Sequence, residues 1–380
     1  MEELQLFANM PVFDESVHFW MIRAKRGFFF DEYVSNRFIA IGWNLVKASR
    51  IKSPLTETQE KVLKEEIQEE YEEKLPGAAL NKCLKFLHEV KIGDIAMIFG
   101  KDRIAFAKIG VYYEAADDTL TVDLEKQVHS SIEHANLKTD TFTCPYVKRR
   151  QIEVIKIINA DESVNPYLYR AMAVNRHSLS ELSDYAESIL SACYDSFFYG
   201  GKLSVTFRVE QAGSINAIAL SNFISCAAQI LSCGDSDAVS VKTALHSPGD
   251  ILLQIWNFAK ENAPVLLVCY MAVFGGKYGN LEFNSIISII KDIINRNYTS
   301  RKHSLELRKM EAEVKTAEQE ALAKELENIE KIQRLQLSQV DTLVKPLSEA
   351  AEHLRIKPND STIIDLRDYL KKREDQTEGQ

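Results

Sequence analysis

The sequence has no apolar run long enough to span a bilayer. The longest such run, Ala263–Phe274, has about twelve residues, whereas a membrane-spanning helix needs about 20. The first residues also lack the basic stretch followed by an apolar segment that is typical of a signal peptide. These absences predict a cytoplasmic protein that does not contact a membrane, with Ala263–Phe274 buried in a core.

Cysteine and histidine patterns typical of metal sites are also missing. The six cysteines include no C-x-x-C pair, and most lie within apolar runs. Such cysteines are expected to be buried free thiols in a reducing compartment. The eight histidines include no H-x-x-x-H or H-E-x-x-H pair. We therefore expect no metal ion and no cofactor.

Excess positive charge and catalytic motifs are absent as well. The 380 residues have a net charge of −9, so a broad basic surface for duplex DNA is not expected and any nucleic-acid contact must be local. The sequence contains no G-x-x-x-x-G-K-[ST], G-x-G-x-x-G or G-x-S-x-G motif. The nearest approach to a nuclease motif, Glu153–Lys156, places its two charged side chains on opposite faces of a strand. Binding is favoured over catalysis, and no catalytic residue is predicted.

Four short strand-like segments occupy the first third of the chain. They are rich in β-branched or aromatic residues, and glycine, aspartate or a basic residue bounds each one. Glycines stand where a strand bends or ends. The segments are His18–Arg23, Phe38–Trp43, Lys91–Ile98 and Ile104–Gly110. Their spacing predicts a small curved sheet or barrel, and such barrels often keep a mouth for a ligand.

The same segments carry a resemblance to a known family. In chain order they read W-x-I-R, F-I-A-I-G-W, I-G-D-x-A-x-I and I-A-x-A-K-I-G-x-Y-Y. Roughly residues 15–157 resemble the EVE/PUA-like domain at the front of some Mrr-type restriction and phage-defence proteins. The resemblance implies binding of nucleic acid, often of a modified base held in an aromatic pocket, and a role in bacterial phage defence. The rest of the chain resembles no catalytic family.

The pattern along the chain predicts an α+β protein with several parts. A stretch without glycine or proline, Arg301–Val340, has apolar residues every three or four positions, which favours a long helix that self-associates or binds a partner. Pro346 is expected to end it. The predicted parts are an EVE/PUA-like barrel over 1–160 with a helical insert at 54–90, a middle α/β domain over 161–296, a long amphipathic helix over 297–345, and a short helix with a disordered tail over 346–380.

The middle domain is predicted to contain two β-α units. In the first, the strand Leu203–Glu210 precedes an apolar helix over Ile215–Leu231, with Ser214 at the helix start. In the second, the strand Ala238–His246 precedes a helix that begins at Asp250 and runs through the apolar residues to Phe274. A β-hairpin remains the alternative at each turn, because Gly-Ser and Pro-Gly also form β-turns.

Aromatic and basic residues of the first domain are the candidate site. Aromatic rings can stack on a flipped base, and cationic or amide side chains can bind phosphate or a base edge. The predicted ligand-binding residues are Trp20, Arg23, Trp43, Asn44, Asp94, Arg103, Tyr112 and Tyr113. The predicted contacts to a nucleic-acid backbone are Lys25, Arg26, Lys148, Arg149 and Arg150. The alternatives are that the tryptophans belong to the barrel core, that Asp94 closes a turn and that the basic run ends a solvated strand.

These observations favour a defence component that recognises a nucleotide or a modified or flipped base through its first domain. The remainder is expected to couple recognition to assembly as a homo-oligomer or to a partner effector. One alternative is a divergent nuclease or hydrolase within residues 160–295. It would need acidic residues clustered in space, such as Asp195, Glu210, Asp235, Asp237 and Asp250. Another alternative is a purely structural subunit.

Overall fold

The computed structural model describes two compact units. One unit is Glu15–Cys193, and the other combines Met1–Asp14 with Tyr194–Ser361. The described residues are 10–51, 55–137, 139–160, 166–175, 177–210, 213–232, 239–244, 249–256, 266, 269–270, 272–273, 277–278, 281–282, 302 and 342–357. Within them the fold is mixed α and β and includes a sheet that curls into a half-barrel.

Fourteen strands and eight α-helices are described. The strands are β1 (Val12–Phe13), β2 (Phe19–Arg23), β3 (Phe38–Ile41), β4 (Ile95–Phe99), β5 (Arg103–Glu114), β6 (Lys148–Asn159), β7 (Leu179–Glu181), β8 (Ser196–Tyr199), β9 (Lys202–Val209), β10 (Val239–Ala244), β11 (Gly249–Trp256), β12 (Lys277–Tyr278), β13 (Leu281–Glu282) and β14 (Ile356–Lys357). The helices are α1 (Phe30–Ser35), α2 (Glu57–Tyr71), α3 (Pro76–Leu84), α4 (Val122–His134), α5 (Pro166–Val174), α6 (Ala186–Cys193), α7 (Ala217–Leu231) and α8 (342–354). Single turns of 3₁₀-helix at Ala48–Arg50 and Ser183–Tyr185 and a π-turn at Lys85–Glu89 complete the set.

The Glu15–Cys193 unit is built on a six-stranded sheet. Its strand order is β3-β6-β5-β4-β2-β7. Strands β2 and β4 are parallel, and the other neighbours are antiparallel. The four strands predicted from the first third of the chain are confirmed, and their apolar side chains form one core.

The helical insert between the second and third predicted strands is also confirmed. Thr56 begins α2 with a capping box, in which its side chain accepts from the Gln59 N–H and the Gln59 side chain accepts from the Thr56 N–H. Helix α2 ends where Glu72 takes a left-handed conformation, with φ of 52°. Pro76 occupies the first turn of α3, where its missing N–H is not needed.

The first unit extends beyond the predicted boundary at residue 160. Strand β7 adds to the sheet edge, and its Ser180 pairs with Met21 of β2. The Arg23 guanidinium donates to the carbonyl oxygens of Met172 (2.7 Å) and Asn175 (2.8 Å) at the end of α5. These contacts join residues up to Cys193 to the first unit, a long-range pairing that local pattern does not reveal.

The second unit has its own six-stranded sheet, in which β1-β8-β9-β11-β10 are neighbours and β14 also pairs with β9. The first predicted β-α unit is confirmed, since β9 is followed by α7. The α7 cap, however, is Asn216, whose side chain accepts from the Ile218 and Ala219 N–H groups at 3.0 Å. The second predicted unit is wrong. Strands β10 and β11 form an antiparallel hairpin, with Asp250 opposite Ala244 rather than at a helix start.

Most of the predicted long helix over 297–345, the helix at Thr362–Lys372 and the tail lie outside the described residues. The part that is described corrects one expectation. Residues 342–354 are helical, so Pro346 lies within a helix and does not end one. Leu347, Ala350 and Leu354 of this helix are buried in the core of the second unit.

Five cysteines fall within the described part of the chain, and all five are buried free thiols, as expected; Cys233 lies outside it. Among the helices that the structure describes, none has both the length and the apolar character needed to cross a membrane.

Candidate functional site

A strained turn at the end of β3 is the best-organised polar feature of the first unit. Trp43 has φ of 62°, a left-handed conformation that bulky residues rarely adopt. Glu125 binds this turn with both carboxylate oxygens, which accept from the N–H groups of Trp43 (2.7 Å) and Asn44 (2.8 Å). On the other side, the Lys148 ammonium donates to the Trp43 carbonyl at 2.6 Å. A buried acid and a buried base therefore hold Trp43 in a conformation that it would not adopt alone.

Helix α4 and strand β6 place these two charges. Thr121 caps α4 by accepting from the Leu124 N–H at 3.1 Å, which puts Glu125 in the first turn of the helix, facing the β3 turn. A Cβ on Gly42 would lie 2.5 Å from a Glu125 carboxylate oxygen. Only glycine leaves room for the carboxylate at this position.

Two further side chains complete the network around the turn. The Tyr71 hydroxyl donates to Glu125 at 2.9 Å and accepts from the Leu45 N–H at 3.2 Å. The Asn44 amide donates to the Pro145 carbonyl at 2.7 Å, and its oxygen accepts from the Val147 N–H at 2.9 Å. These bonds tie the turn to α2 and to the start of β6.

Burial and pairing act in opposite directions on the two charges. Burial raises the pKa of Glu125, and the N–H groups of Asn44 and Trp43 and the charge of Lys148 oppose that rise. Burial lowers the pKa of Lys148, and the neighbouring Cys83 and Glu125 oppose that fall. Each group thus depends on the other for its charge, as in other buried pairs.

The Trp43 indole is the part of this arrangement that can meet a ligand. The ring is partly buried and packs against the core of the unit. The Lys82 ammonium from α3 lies 5.3 Å from the ring centroid, within the range of a cation–π contact. A fixed indole surface next to an ammonium group can stack on a planar ring and attract a negative charge.

A second polar group lies one helical turn further along α4. The Nε2 atom of His129 is 2.8 Å from the Tyr146 hydroxyl. Burial and, next, the charge of Lys25 lower the pKa of His129 to about 4. His129 is therefore neutral at neutral pH, and Lys25 is its electrostatic neighbour.

The structure separates the two predicted tryptophans. Trp20 is 1% exposed, and its indole N–H donates to Asp94 at 2.8 Å. Asp94 also accepts from the N–H groups of Lys91 (2.8 Å) and His18 (3.1 Å). Trp20 is thus a core residue and Asp94 closes a turn, so the assignment of either to a ligand pocket is corrected to the structural alternative.

The predicted cations Arg23 and Arg103 contact the protein itself. Arg23 binds the end of α5, as described above. The Arg103 guanidinium donates to Asp31 at 3.2 Å and to Asp102 at 3.3 Å. Both guanidinium groups are engaged within the chain rather than left open to phosphate.

The other predicted ligand residues are not grouped around one slot. Asn44 is 2% exposed, and its side chain holds backbone groups. Tyr112 donates to Glu114 at 2.9 Å and packs edge-on against Phe86. Tyr113 is partly buried against the core. Trp43 remains the predicted aromatic residue with both an exposed edge and a cationic neighbour.

The predicted backbone-binding run is largely internal. Lys148 is fully buried and Arg150 is 4% exposed, with the Arg150 guanidinium bound to the carbonyls of Phe86 and Leu87. Arg149 donates to the Tyr146 carbonyl and lies 4.2 Å from the Phe38 ring centroid. Lys148 and Arg150 therefore cannot reach a nucleic-acid backbone in this fold, because burial removes them from solvent.

Sequence reasoning missed Glu125, His129, Tyr71, Tyr146 and Lys82. The spacing of Glu125 and His129, four residues apart on a helix, places them on one face and was the available signal. Their partners come from segments more than fifty residues away in most cases, which no local pattern links.

The alternative of a nuclease site gains no cluster from the described residues. Asp235 and Asp237 lie outside them. Glu210 pairs with Lys357, and Asp250 lies in β11 opposite Arg208. In the described part of the chain, no group of three or more histidine, cysteine, aspartate or glutamate side chains is placed to hold a metal ion.

Comparisons with known proteins find no match, whether the chain is compared with protein-family models, with curated proteins or with solved structures.

Proposed function

We propose that the Glu15–Cys193 unit is an EVE/PUA-like domain that binds a nucleotide or a modified or flipped base through Trp43. The chain would act in the cytoplasm of a bacterium, in phage defence, and couple binding to assembly or to a partner effector. The motifs of the first strands support the family, and the geometry of the β3 turn supports the site.

One observation carries this proposal. Trp43 is held with φ of 62° by hydrogen bonds from its own N–H to Glu125 and from Lys148 to its carbonyl. Strain of this kind persists only where the surroundings impose it, and it concentrates at binding sites. A preorganised ring binds a planar ligand with less loss of conformational entropy.

The side-chain chemistry favours a base over an apolar ligand. Stacking of a base on an aromatic ring contributes about 1–3 kcal/mol. The Lys82 ammonium adds a positive charge beside the ring, and a nucleotide supplies the complementary phosphate. The local character of this charge agrees with a chain whose net charge is −9.

The test uses the full chain and single-stranded oligonucleotides with unmodified or 5-methylated cytosine, together with the free nucleosides. We expect quenching of indole fluorescence on binding, and a loss of affinity of about tenfold or more in Trp43→Ala. Trp256→Ala is the matched control, because Trp256 lies in the second unit, is 44% exposed and also has a lysine, Lys202, over its ring at 4.0 Å.

Equal affinity of Trp43→Ala and the unchanged chain would overturn the base-binding proposal. So would the absence of binding by every oligonucleotide and nucleoside. Either result would favour the structural-subunit alternative, in which the β3 turn serves only the fold.

A further inference from the structure

The residues just after β2 form a second strained turn. Lys25, Arg26 and Gly27 have φ values of 44°, 59° and 92°, so three successive residues are left-handed. A Cβ on Gly27 would lie 2.7 Å from the Lys101 backbone nitrogen, which requires glycine there. Left-handed turns containing two non-glycine residues are strained, and the close packing at Gly27 holds this one in place.

The two basic side chains of this turn have different surroundings. The Arg26 guanidinium donates to the Ile132 carbonyl at 3.1 Å, near the end of α4, and lies over the Phe28 ring. Lys25 is partly buried, and within the described residues its ammonium has neither a hydrogen bond nor an ion pair. Lys25 is thus a partly desolvated cation for which the described chain provides no direct partner.

Charged groups around Lys25 compensate it only in part. Burial lowers the pKa of Lys25, while the charges of Glu133, Glu125 and Glu73 oppose that shift. Glu125 is itself occupied by the Trp43 and Asn44 N–H groups. The remaining cost of holding an ammonium away from water is the cost that a bound anion would remove.

His129 and Tyr146 add neutral donors next to Lys25. Lys25 is close enough to His129 for its charge to lower the pKa of the imidazole. When the Tyr146 hydroxyl donates to Nε2, the ring carries its proton on Nδ1, for which the described residues provide no acceptor. The group then presents an ammonium and an N–H donor, the two kinds of group that bind phosphate oxygens.

We propose that Lys25 and His129, with Tyr146 setting the histidine tautomer, form a subsite for the phosphate group of a nucleotide. This inference rests on the proposed function for the nature of the ligand. Glu125 links the two sites, since it precedes His129 by one helical turn on α4 and holds the Trp43 turn. The subsite would let the protein prefer a nucleotide to the corresponding nucleoside.

The experiment titrates the full chain with inorganic phosphate, cytidine and cytidine 5′-monophosphate, by calorimetry and by NMR of the His129 ring. We expect phosphate to shift the His129 signals and the monophosphate to bind about tenfold more tightly than cytidine. Lys25→Asn removes the ammonium with a residue that tolerates positive φ, and should abolish both effects. Lys25→Arg should retain them, and Lys91→Asn, at an exposed loop lysine, should leave them unchanged.

The outcomes separate this subsite from the base site. If Lys25→Asn melts at the same temperature as the unchanged chain and keeps the preference for the monophosphate, the subsite is wrong and base binding stands. If phosphate shifts the His129 signals but cytidine does not bind, the subsite stands and base binding at Trp43 is wrong. If phosphate leaves the His129 signals unmoved, the subsite is wrong whatever the result with cytidine.

Discussion

Glu125 and Lys148 bind opposite sides of one residue: Glu125 accepts from the N–H of Trp43 at 2.7 Å, and Lys148 donates to its carbonyl at 2.6 Å. Both side chains are almost fully buried. The pair therefore stabilises a backbone conformation as well as each other's charge. Several measurable consequences follow from its geometry.

The two charges should be strongly non-additive. Removal of one partner leaves the other charge buried and uncompensated, so Lys148→Met should destabilise the protein by about 3–5 kcal/mol. Glu125→Gln/Lys148→Met should cost less than the sum of the single changes, because neither charge remains. Urea unfolding of the four proteins measures the coupling, and strict additivity would show that the two charges do not interact.

Gly42 should be required for the carboxylate to reach the turn. Gly42→Ala places a methyl group 2.5 Å from Glu125 and should cost about 1–3 kcal/mol through overpacking. Gly77→Ala is the control, because its Cβ would meet only the flexible end of Lys64 at 3.4 Å. Denaturant midpoints compare the two variants, and a Gly42→Ala protein as stable as the control would contradict the close approach.

The buried Trp20–Asp94 bond should contribute to stability and not to binding. Asp94→Ala leaves the Trp20 N–H without its 2.8 Å acceptor, and a buried unsatisfied donor costs about 1–3 kcal/mol. The cost should be smaller in a Trp20→Phe background, which has no indole N–H. Thermal unfolding and nucleotide titration of the same proteins check both parts, and a selective loss of affinity in Asp94→Ala would return this residue to the binding site.

His129 should make folding sensitive to acid. Its pKa is about 4 in the folded protein and 6.5 ordinarily, so the unfolded chain takes up the proton first as the pH falls. The contribution of neutral His129 is therefore complete above about pH 6.5 and is lost as the pH falls towards 4. The difference in unfolding free energy between the unchanged chain and His129→Gln should depend on pH in that window.

The same histidine reports on Lys25. Because the charge of Lys25 lowers the pKa of His129, Lys25→Asn should raise it, although burial should keep it below 6.5. NMR titration of the imidazole gives both values. A midpoint near 6.5 in the unchanged chain would show that His129 is neither buried nor close to Lys25.

The sequence predicted well those features that depend on neighbours in the chain. The alternating apolar segments of the first third predicted β2 to β5, and Thr56 and Pro76 marked the insert. It did not distinguish a second β-α unit from the β10–β11 hairpin, because a short apolar run such as Ile251–Ile255 satisfies a buried strand and a buried helix equally.

The candidate site was predicted only in part for a related reason. Trp43 was identified because exposed aromatic residues next to glycine suggest a binding loop. The assignment of Lys148 and Arg150 to a surface was wrong, since a run of basic residues in a strand does not reveal which side chains point inward to bind carbonyl oxygens.

The sequence by itself determined where strands and helices form, because side-chain periodicity and caps act over a few residues. Only the tertiary structure decided which charges are buried. Glu125 reaches Trp43 across more than eighty residues of chain, and Lys148 reaches the same residue across more than one hundred. Such contacts depend on how the sheet and α4 pack, since burial of a charge is favourable only after its partner has been brought to it.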